Sequence, residues 1–251
     1  MKVLTSIADW QNYRSVLKEG PLGFVPTMGA LHEGHLSLVK ASRQQDALTI
    51  VSVFINPTQF DDKNDFEKYP ADSHSDIEQL ERAGVDVVLF PDKEQIYKDD
   101  YRFKVTESDF SRQLCGAHRP GHFDGVLTVV MRLLNLVRPD NAYFGEKDYQ
   151  QLQLISDMVS AFFMPVNIVA CATIREVDGL AMSSRNKHLD VGNRAKAAAL
   201  FAALKNSGTA AEARQTLAEQ GFDVDYVEDL ANRRLAAARL GSTRLIDNVE
   251  I

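Results

Sequence analysis

Pro26-Thr27-Met28-Gly29-Ala30-Leu31-His32-Glu33-Gly34-His35 decides how this 251-residue chain is read. The run Leu22-Gly23-Phe24-Val25 before it is short and apolar, which predicts a buried strand. After it, Leu36, Leu38, Val39 and Ala41 suit the opening turns of a helix. The ten residues are therefore a strand-to-helix turn, where an α/β sheet places its ligands. Gly29 and Gly34 lack Cβ atoms and let the backbone approach a bound group closely. A helix starting here aims unpaired N–H groups and a positive dipole end at an anion.

His32 and His35 are three apart, so one helical turn projects both rings to the same side. Three readings are open: metal ligands, ordinary surface histidines, or donors to phosphate oxygens. The usual helical metal pair is four apart, and no Cys or third His follows nearby. The glycines, the strand and the helix favour phosphate.

Outward from the turn, strand and helix signals alternate. Ser6 with Asp9 three residues on predicts a capping box, opening a helix that ends near Gly20. Leu48 to Ile55 is β-branched and apolar on both faces, as a central parallel strand should be. A polar acidic loop at Asp61 to Asp65, a helix from Ala71 to Ala83 and a strand from Val85 to Phe90 follow. A strand is expected at Phe103-Lys104-Val105, and a glycine-punctuated loop from Gly116 to Gly125. Helices are expected from Gly125 to Val137 and from Tyr149 to Phe163, with strands at Ala142-Tyr143-Phe144 and Val166 to Ala172. The fold class is thus α/β, a doubly wound parallel, Rossmann-like sheet over residues 1–173.

From Thr173 the character changes. An Asp178-Gly179 turn signal and a polar loop around Ala181 to Asn186 lead into helices at Ala195 to Lys205 and Ala210 to Glu219. Strands are expected at Phe222 to Val227 and Arg244 to Val249. Residues 174–251 therefore form a smaller α+β domain, placed late in the chain as a lid would be.

Composition narrows the function. A net charge of −7 argues against a duplex nucleic-acid binder, though a local pocket can still be positive. The apolar share of 45% and charged share of 25% are those of a soluble globular protein. The two cysteines, Cys115 and Cys171, stand far apart and outside any C-x-x-C pattern, consistent with reduced thiols in a cytoplasmic protein. The N-terminus lacks a signal-peptide core, and no run is long enough to span a bilayer.

Further side chains stand where a ligand would meet them. Lys147 and Asp148 open a helix at a strand's C-terminal end, as a phosphate-side cation and a carboxylate suited to ribose hydroxyls. A solvated Lys–Asp pair is the plainer alternative. Asn56 and Gln59 close the Leu48 strand; with Gln151, Gln59 could hold the hydroxyls and carboxylate of a small polar acid, or both be surface amides. Arg119, inside the glycine-rich loop, fits anion binding and plain surface equally. Ser183-Ser184-Arg185 offers two hydroxyls and a guanidinium to the outer phosphates of a triphosphate.

His32-Glu33-Gly34-His35 resembles the "HIGH" element of adenylate-forming nucleotidyltransferases, and the full decapeptide resembles the pantothenate synthetase family. Asn56-Pro57-Thr58-Gln59-Phe60, Arg119-Pro120-Gly121-His122-Phe123, Phe144 to Gln151, Gly179 to Asn186 and Arg244 to Asn248 resemble the same family, in its order. The resemblance implies that ATP and pantoate form pantoyl adenylate, which β-alanine converts to pantothenate. It implies His32, His35, Lys147 and Arg185 as the catalytic set. ATP would be held by Met28, Gly29, Ala30, Leu31, His32, Glu33, Gly34, His35, Gly145, Glu146, Lys147, Asp148, Ile174, Met182, Ser183, Ser184 and Arg185. Pantoate and β-alanine would be held by Asn56, Gln59, Arg119 and Gln151. Mg²⁺ is expected on the ATP phosphates and not in a side-chain cage. A homodimer is expected, with no nucleic-acid or membrane partner. A cytidylyltransferase and a non-enzymatic nucleotide sensor are the alternatives; the glutamine motifs argue against the first, and the second would need no second-substrate pocket, so pyrophosphate release with pantoate separates it.

Overall fold

The computed structural model describes residues 1–17, 20–60, 66–67, 69–70 and 72–251. The expected loop at Asp61 to Asp65 lies outside them, as does Ala71. Two compact units emerge. The first comprises Met1–Leu31, His35–Gly145 and Gln150–Cys171, and the second His32–Gly34, Glu146–Tyr149 and Ala172–Ile251. A single cut at residue 173 is therefore replaced by one at 172, where the last strand has just ended. Two short segments expected in the first domain cluster with the second.

The first unit carries six parallel strands, β1 (Lys2–Leu4), β2 (Leu22–Thr27), β3 (Leu48–Val53), β4 (Val87–Leu89), β5 (Asn141–Gly145) and β6 (Asn167–Cys171), in the order β1-β4-β3-β2-β5-β6. The helices between them are α1 (Ile7–Ser15), α2 (Glu33–Gln45), α3 (Ser73–Arg82), α4 (Lys93–Ile96), α5 (Leu114–His118), α6 (His122–Val137) and α7 (Tyr149–Ala161). From β2 the chain moves outward through β3 and β4, then returns to lay β5 on the other side of β2. That reversal makes β2 and β5 the switch point, so their C-terminal ends bound the natural ligand crevice.

The strands form because apolar runs can be covered on both faces. Phe24, Val25, Ile50, Val51, Val87 and Val88 are fully buried. Val25, Val51 and Val88 share a core with Leu38 and Val39 of α2 and Leu80 of α3. The Ser6 cap forms as expected: its hydroxyl oxygen accepts from Asp9 N at 3.0 Å. The helix it opens ends at Ser15, short of Gly20.

Two expectations fail here and one strand was not expected, each for an identifiable reason. Phe103–Val105 is not a strand; Thr128 Oγ1 accepts from Val105 N and Arg132 donates to Phe103 O, so α6 side chains take that backbone's bonds. The Gly116–Gly125 loop contains α5, and α6 begins at His122, after Gly121 turns at φ +81°. β1 was missed because it is only three residues long.

The second unit pairs β7 (Asp223–Leu230), β8 (Arg233–Leu240) and β9 (Thr243–Glu250) antiparallel, with β8 central. Its helices are α8 (Val191–Ala197), α9 (Ala199–Asn206) and α10 (Ala210–Glu219), so the single helix expected from Ala195 to Lys205 is two. β8 escaped the sequence reading because its alanines and arginines favour helix. Here small size decides: Ala236 and Ala238 lie buried in one core with Leu200, Leu204 and Leu217. Buried Arg234 donates to Asp229 and to Ser207 O just past α9, satisfying an end carbonyl. Among the described residues, no helix is long and apolar enough to cross a membrane.

Candidate active site

In the first unit, the turn after β2 is built by side chains below it. Thr27 Oγ1 donates to Ser52 O at 2.8 Å and accepts from Gly29 N at 3.2 Å. Gly29 (φ +80°) and Ala30 (φ +50°) both enter left-handed backbone, a conformation that costs energy at an alanine. Asp76, buried on α3, holds it there: its carboxylate accepts from Ala30 N at 3.0 Å and Leu31 N at 2.9 Å. A Cβ on Gly29 would come within 2.8 Å of that carboxylate. His35 follows half-buried on the first turn of α2.

The turn after β3 carries the amides. Gln59 Nε2 donates to Met28 Sδ at 3.2 Å, and its Oε1 accepts from Asn56 Nδ2 at 2.9 Å. A thioether is a weak acceptor, so a ligand hydroxyl or carboxylate oxygen would take that donor readily. Asn56 is differently placed. It is 1% exposed; its oxygen accepts from Tyr97 OH at 2.6 Å and Thr58 Oγ1 at 3.0 Å, while its NH₂ also donates to Gly125 O. Asn56 therefore aims Gln59. Burial pushes the Tyr97 phenol above its ordinary range, keeping it a donor. Arg119 donates to Gln59 O at 3.3 Å and meets His122 at 3.2 Å, so it braces the same turn from the backbone side.

Gln151 is half-buried near the start of α7. Its neighbour Gln150 is fully engaged, accepting from Cys115 N and donating to Phe110 O and Gln113 O. A cavity of about 320 Å³ in this unit is lined by Thr58, Phe60, Tyr97, Tyr101, His122 and Thr128 among others, and by no residue of the β2 turn. Strain and buried clamps single out the β2 turn as the conformationally special one.

In the second unit, His32 Nδ1 accepts from Gly34 N at 3.1 Å, which leaves the proton on Nε2. Burial, then the Lys147 charge and more weakly Lys187, lower its pKa to about 4 against a small opposing pull from Asp148. His32 is therefore a neutral donor at neutral pH. A Cβ on Gly34 would meet the His32 ring at 2.8 Å, so this ring position requires glycine. Lys147 Nζ lies 3.8 Å from Asp148 Oδ2. Ile174 O accepts from Met182 N, closing a small hairpin whose Glu176–Leu180 end turns at Gly179. Ser183 caps the next turn by accepting from Arg185 N, and Ser184 is buried. The exposed polar loop expected at Ala181–Asn186 is thus in part a 3₁₀ turn, Ser184–His188, with Ala181 and Ser184 buried. Among the described residues, no three His, Cys, Asp or Glu side chains gather as a metal-ligand set.

Sequence reading missed Asp76 and gave Gln150 no role. Asp76 was legible in principle, as a carboxylate in helical phase with buried Leu80. Gln150 stands in helical phase with buried Leu154 and Met158, and Gln151 with buried Ile155 and Val159, so periodicity alone does not separate the two glutamines.

A parallel sheet whose switch-point strands β2 and β5 run on in sequence into the H-x-G-H and Lys–Asp segments defines a Rossmann-like nucleotide-binding enzyme fold. The comparisons narrow this. The profile described as pantoate-beta-alanine ligase matches residues 2–250. A pantothenate synthetase from Bdellovibrio bacteriovorus is 55% identical over 250 residues, covering 100% of this chain and 99% of that protein. A crystal structure of pantoate-beta-alanine ligase from Francisella tularensis, complexed with beta-gamma ATP and beta-alanine, superposes with TM-score 0.95 at 38% identity, covering 100% of this chain and 97% of that one. The pantothenate synthetase structure from Thermus thermophilus gives TM-score 0.92 at 40% identity, over 100% and 99%. The chain belongs to the pantoate-beta-alanine ligase family.

Proposed function

We propose that the chain condenses pantoate with β-alanine at the expense of ATP, through a pantoyl-adenylate intermediate. A pantoate carboxylate oxygen attacks the α-phosphorus, the bond from that phosphorus to the bridging oxygen breaks, and pyrophosphate leaves. The β-alanine amine then attacks the acyl carbon, AMP departs with the former carboxylate oxygen, and the amine loses a proton to solvent. The observation that carries this reading is the placement of both motif turns at the ends of β2 and β5, the strands flanking the switch point. The relative solved with an ATP analogue and β-alanine supports it.

The attack joins two anions, so the site must neutralise charge and hold geometry. His35, Lys147 and Arg185 supply donors to the phosphates. His32 adds a donor without charge, since its ring is neutral. Ser183 and Ser184 serve the outer phosphates, Gly145 and Asp148 the ribose, Gln59 and Gln151 pantoate, and Mg²⁺ enters with ATP. We place the reaction in the cytoplasm and the enzyme as a homodimer, to be checked by light scattering. Incubating the protein with ATP, Mg²⁺ and pantoate, with and without β-alanine, tests the order of events. Pantoyl adenylate and pyrophosphate should appear without β-alanine, and pantothenate and AMP only with it. Pyrophosphate release that requires β-alanine would exclude the adenylate route.

A further inference from the structure

We propose that Asn248 is a positioning residue for Lys147, and that β9 exists in part to hold the turn bearing that lysine. The inference rests on Lys147 acting at the phosphates, as proposed above. Asn248 is 3% exposed, and every polar atom of its side chain is used. Its Nδ2 donates to two successive carbonyls of the Lys147 turn, Glu146 O at 2.8 Å and Lys147 O at 3.1 Å. Its Oδ1 accepts from Arg233 Nη1 at 2.7 Å. The same guanidinium reaches the Glu146 carboxylate at 3.1 Å and lies 4.9 Å over the Tyr149 ring, so it grips the turn at both ends.

Two consecutive carbonyls fixed by one NH₂ group define two peptide planes, and with them the direction in which Cα–Cβ of residue 147 leaves the chain. Asparagine is required for this. An aspartate would set a carboxylate against two carbonyl oxygens, and an alanine would leave both carbonyls without that donor. The residue is itself anchored: Asn248 N donates to Asp247 Oδ1 at 2.8 Å, and Arg175 binds the Asp247 carboxylate at 2.6 and 2.9 Å and Asn248 O at 3.3 Å. A small C-terminal sheet would not need a fully bonded asparagine aimed at a distant turn merely to fold.

The test is a double-mutant cycle on the full chain, read by pyrophosphate release with pantoate and by melting temperature. Asn248→Asp should lower kcat about tenfold, the scale of coupling between interacting groups, with the pantoate KM within about twofold of the parent. In a Lys147→Ala background the same change should cost less than about twofold, because its effect passes through the missing ammonium. Arg233→Met removes the guanidinium from Asn248, Glu146 and the Tyr149 ring while keeping an unbranched stem, and should give a smaller loss, equally non-additive with Lys147→Ala. It serves as well if Asn248→Asp fails to fold. Arg234→Met is the structural control, since it touches Asp229 and the end of α9 but not the turn. It should lower the melting temperature and leave the kcat of folded protein unchanged. Equal losses in both backgrounds, or a kcat loss no larger than that of Arg234→Met at matched destabilisation, would overturn the assignment. If Lys147→Ala alone keeps full turnover, the functional reading falls and this inference with it. If Lys147→Ala is impaired and Asn248→Asp is not, positioning alone is wrong.

Discussion

The two edges of the parallel sheet are built from the same residue types to opposite ends. At the N-terminal edge, Asp46 accepts from Tyr143 OH at 2.6 Å, Asn141 Nδ2 at 2.7 Å and Ser42 Oγ at 3.1 Å. Asp86 takes Thr49 N and Arg43, and Asp140 takes Leu22 N. Gly23 belongs to this network, since a Cβ there would fall 2.1 Å from both Asp46 Oδ2 and Ser42 Oγ. At the C-terminal edge one buried carboxylate, Asp76, holds backbone that has been bent into a costly conformation, and Gln59 rests on a weak sulfur acceptor. The first edge closes its polar groups on one another and thereby joins strands. The second leaves one good donor, the Gln59 amide, on a poor partner, which is the condition a ligand needs.

Changes at the C-terminal edge should therefore cost turnover. His35→Ala and Lys147→Ala should each slow adenylate formation by roughly 10²–10³-fold, the scale for loss of one transition-state donor, with less effect on ATP binding. Near-normal turnover in either would remove that residue from the phosphates. Asp76→Ala stands next, because there structure and chemistry overlap. Two buried N–H groups lose their acceptor, at about 1–3 kcal/mol each, and the strained turn relaxes. Both melting temperature and kcat should fall. A variant that melts lower yet turns over normally when folded would make Asp76 a purely structural clamp. Gln151→Ala sharpens the contrast at smaller scale: losing a substrate partner worth about 1–3 kcal/mol should raise the pantoate requirement about tenfold and leave ATP affinity nearly constant. Loss of ATP affinity with pantoate binding intact would mean the pocket assignments are reversed.

The sheet and the β2 turn were legible because they are written in local pattern: apolar runs for strands, glycines for the turn, periodicity for α2. What was not legible is held by distant partners. Asp76 reaches a turn 45 residues earlier, and Asn248 one about 100 residues away. Asn56 and Gln59 carry the same side-chain chemistry in one motif, and only burial separates the support from the group it aims. β8 was invisible for another reason: in a central strand against α9, the small volume of alanine outweighs its helical preference.

Tyr143→Phe is the counterpart at the N-terminal edge. Burial and the Asp46 carboxylate push the Tyr143 hydroxyl above its ordinary range, so it is a constant donor. Removing it should cost about 1–3 kcal/mol of stability, since a buried charge-linked bond is lost, while kcat of the folded protein stays at the parental value. Thermal melting beside turnover at low temperature checks both. A fall in kcat matching that of Asp76→Ala would erase the distinction between the edges.

The last test concerns the pH dependence of His32, and its sign is informative. Its ring pKa is lowered from 6.5 to about 4, first by burial and then by Lys147, so across neutral pH the imidazole is uncharged. The pH–rate profile should then show no limb from His32 near pH 6.5. Stability behaves differently. Unfolded chain takes up this proton below pH 6.5 and folded chain refuses it until about pH 4, so the contribution is complete above 6.5 and fades as pH falls between those values. His32→Gln removes the titration, so the gap in melting temperature between parent and variant should move against the parent from pH 7 to pH 5. A ring titration followed by NMR gives the direct reading. A midpoint near 6.5 would mean that His32 is solvated and charged-competent, and that it meets the phosphates as a cation and not as the neutral donor its Gly34 hydrogen bond defines.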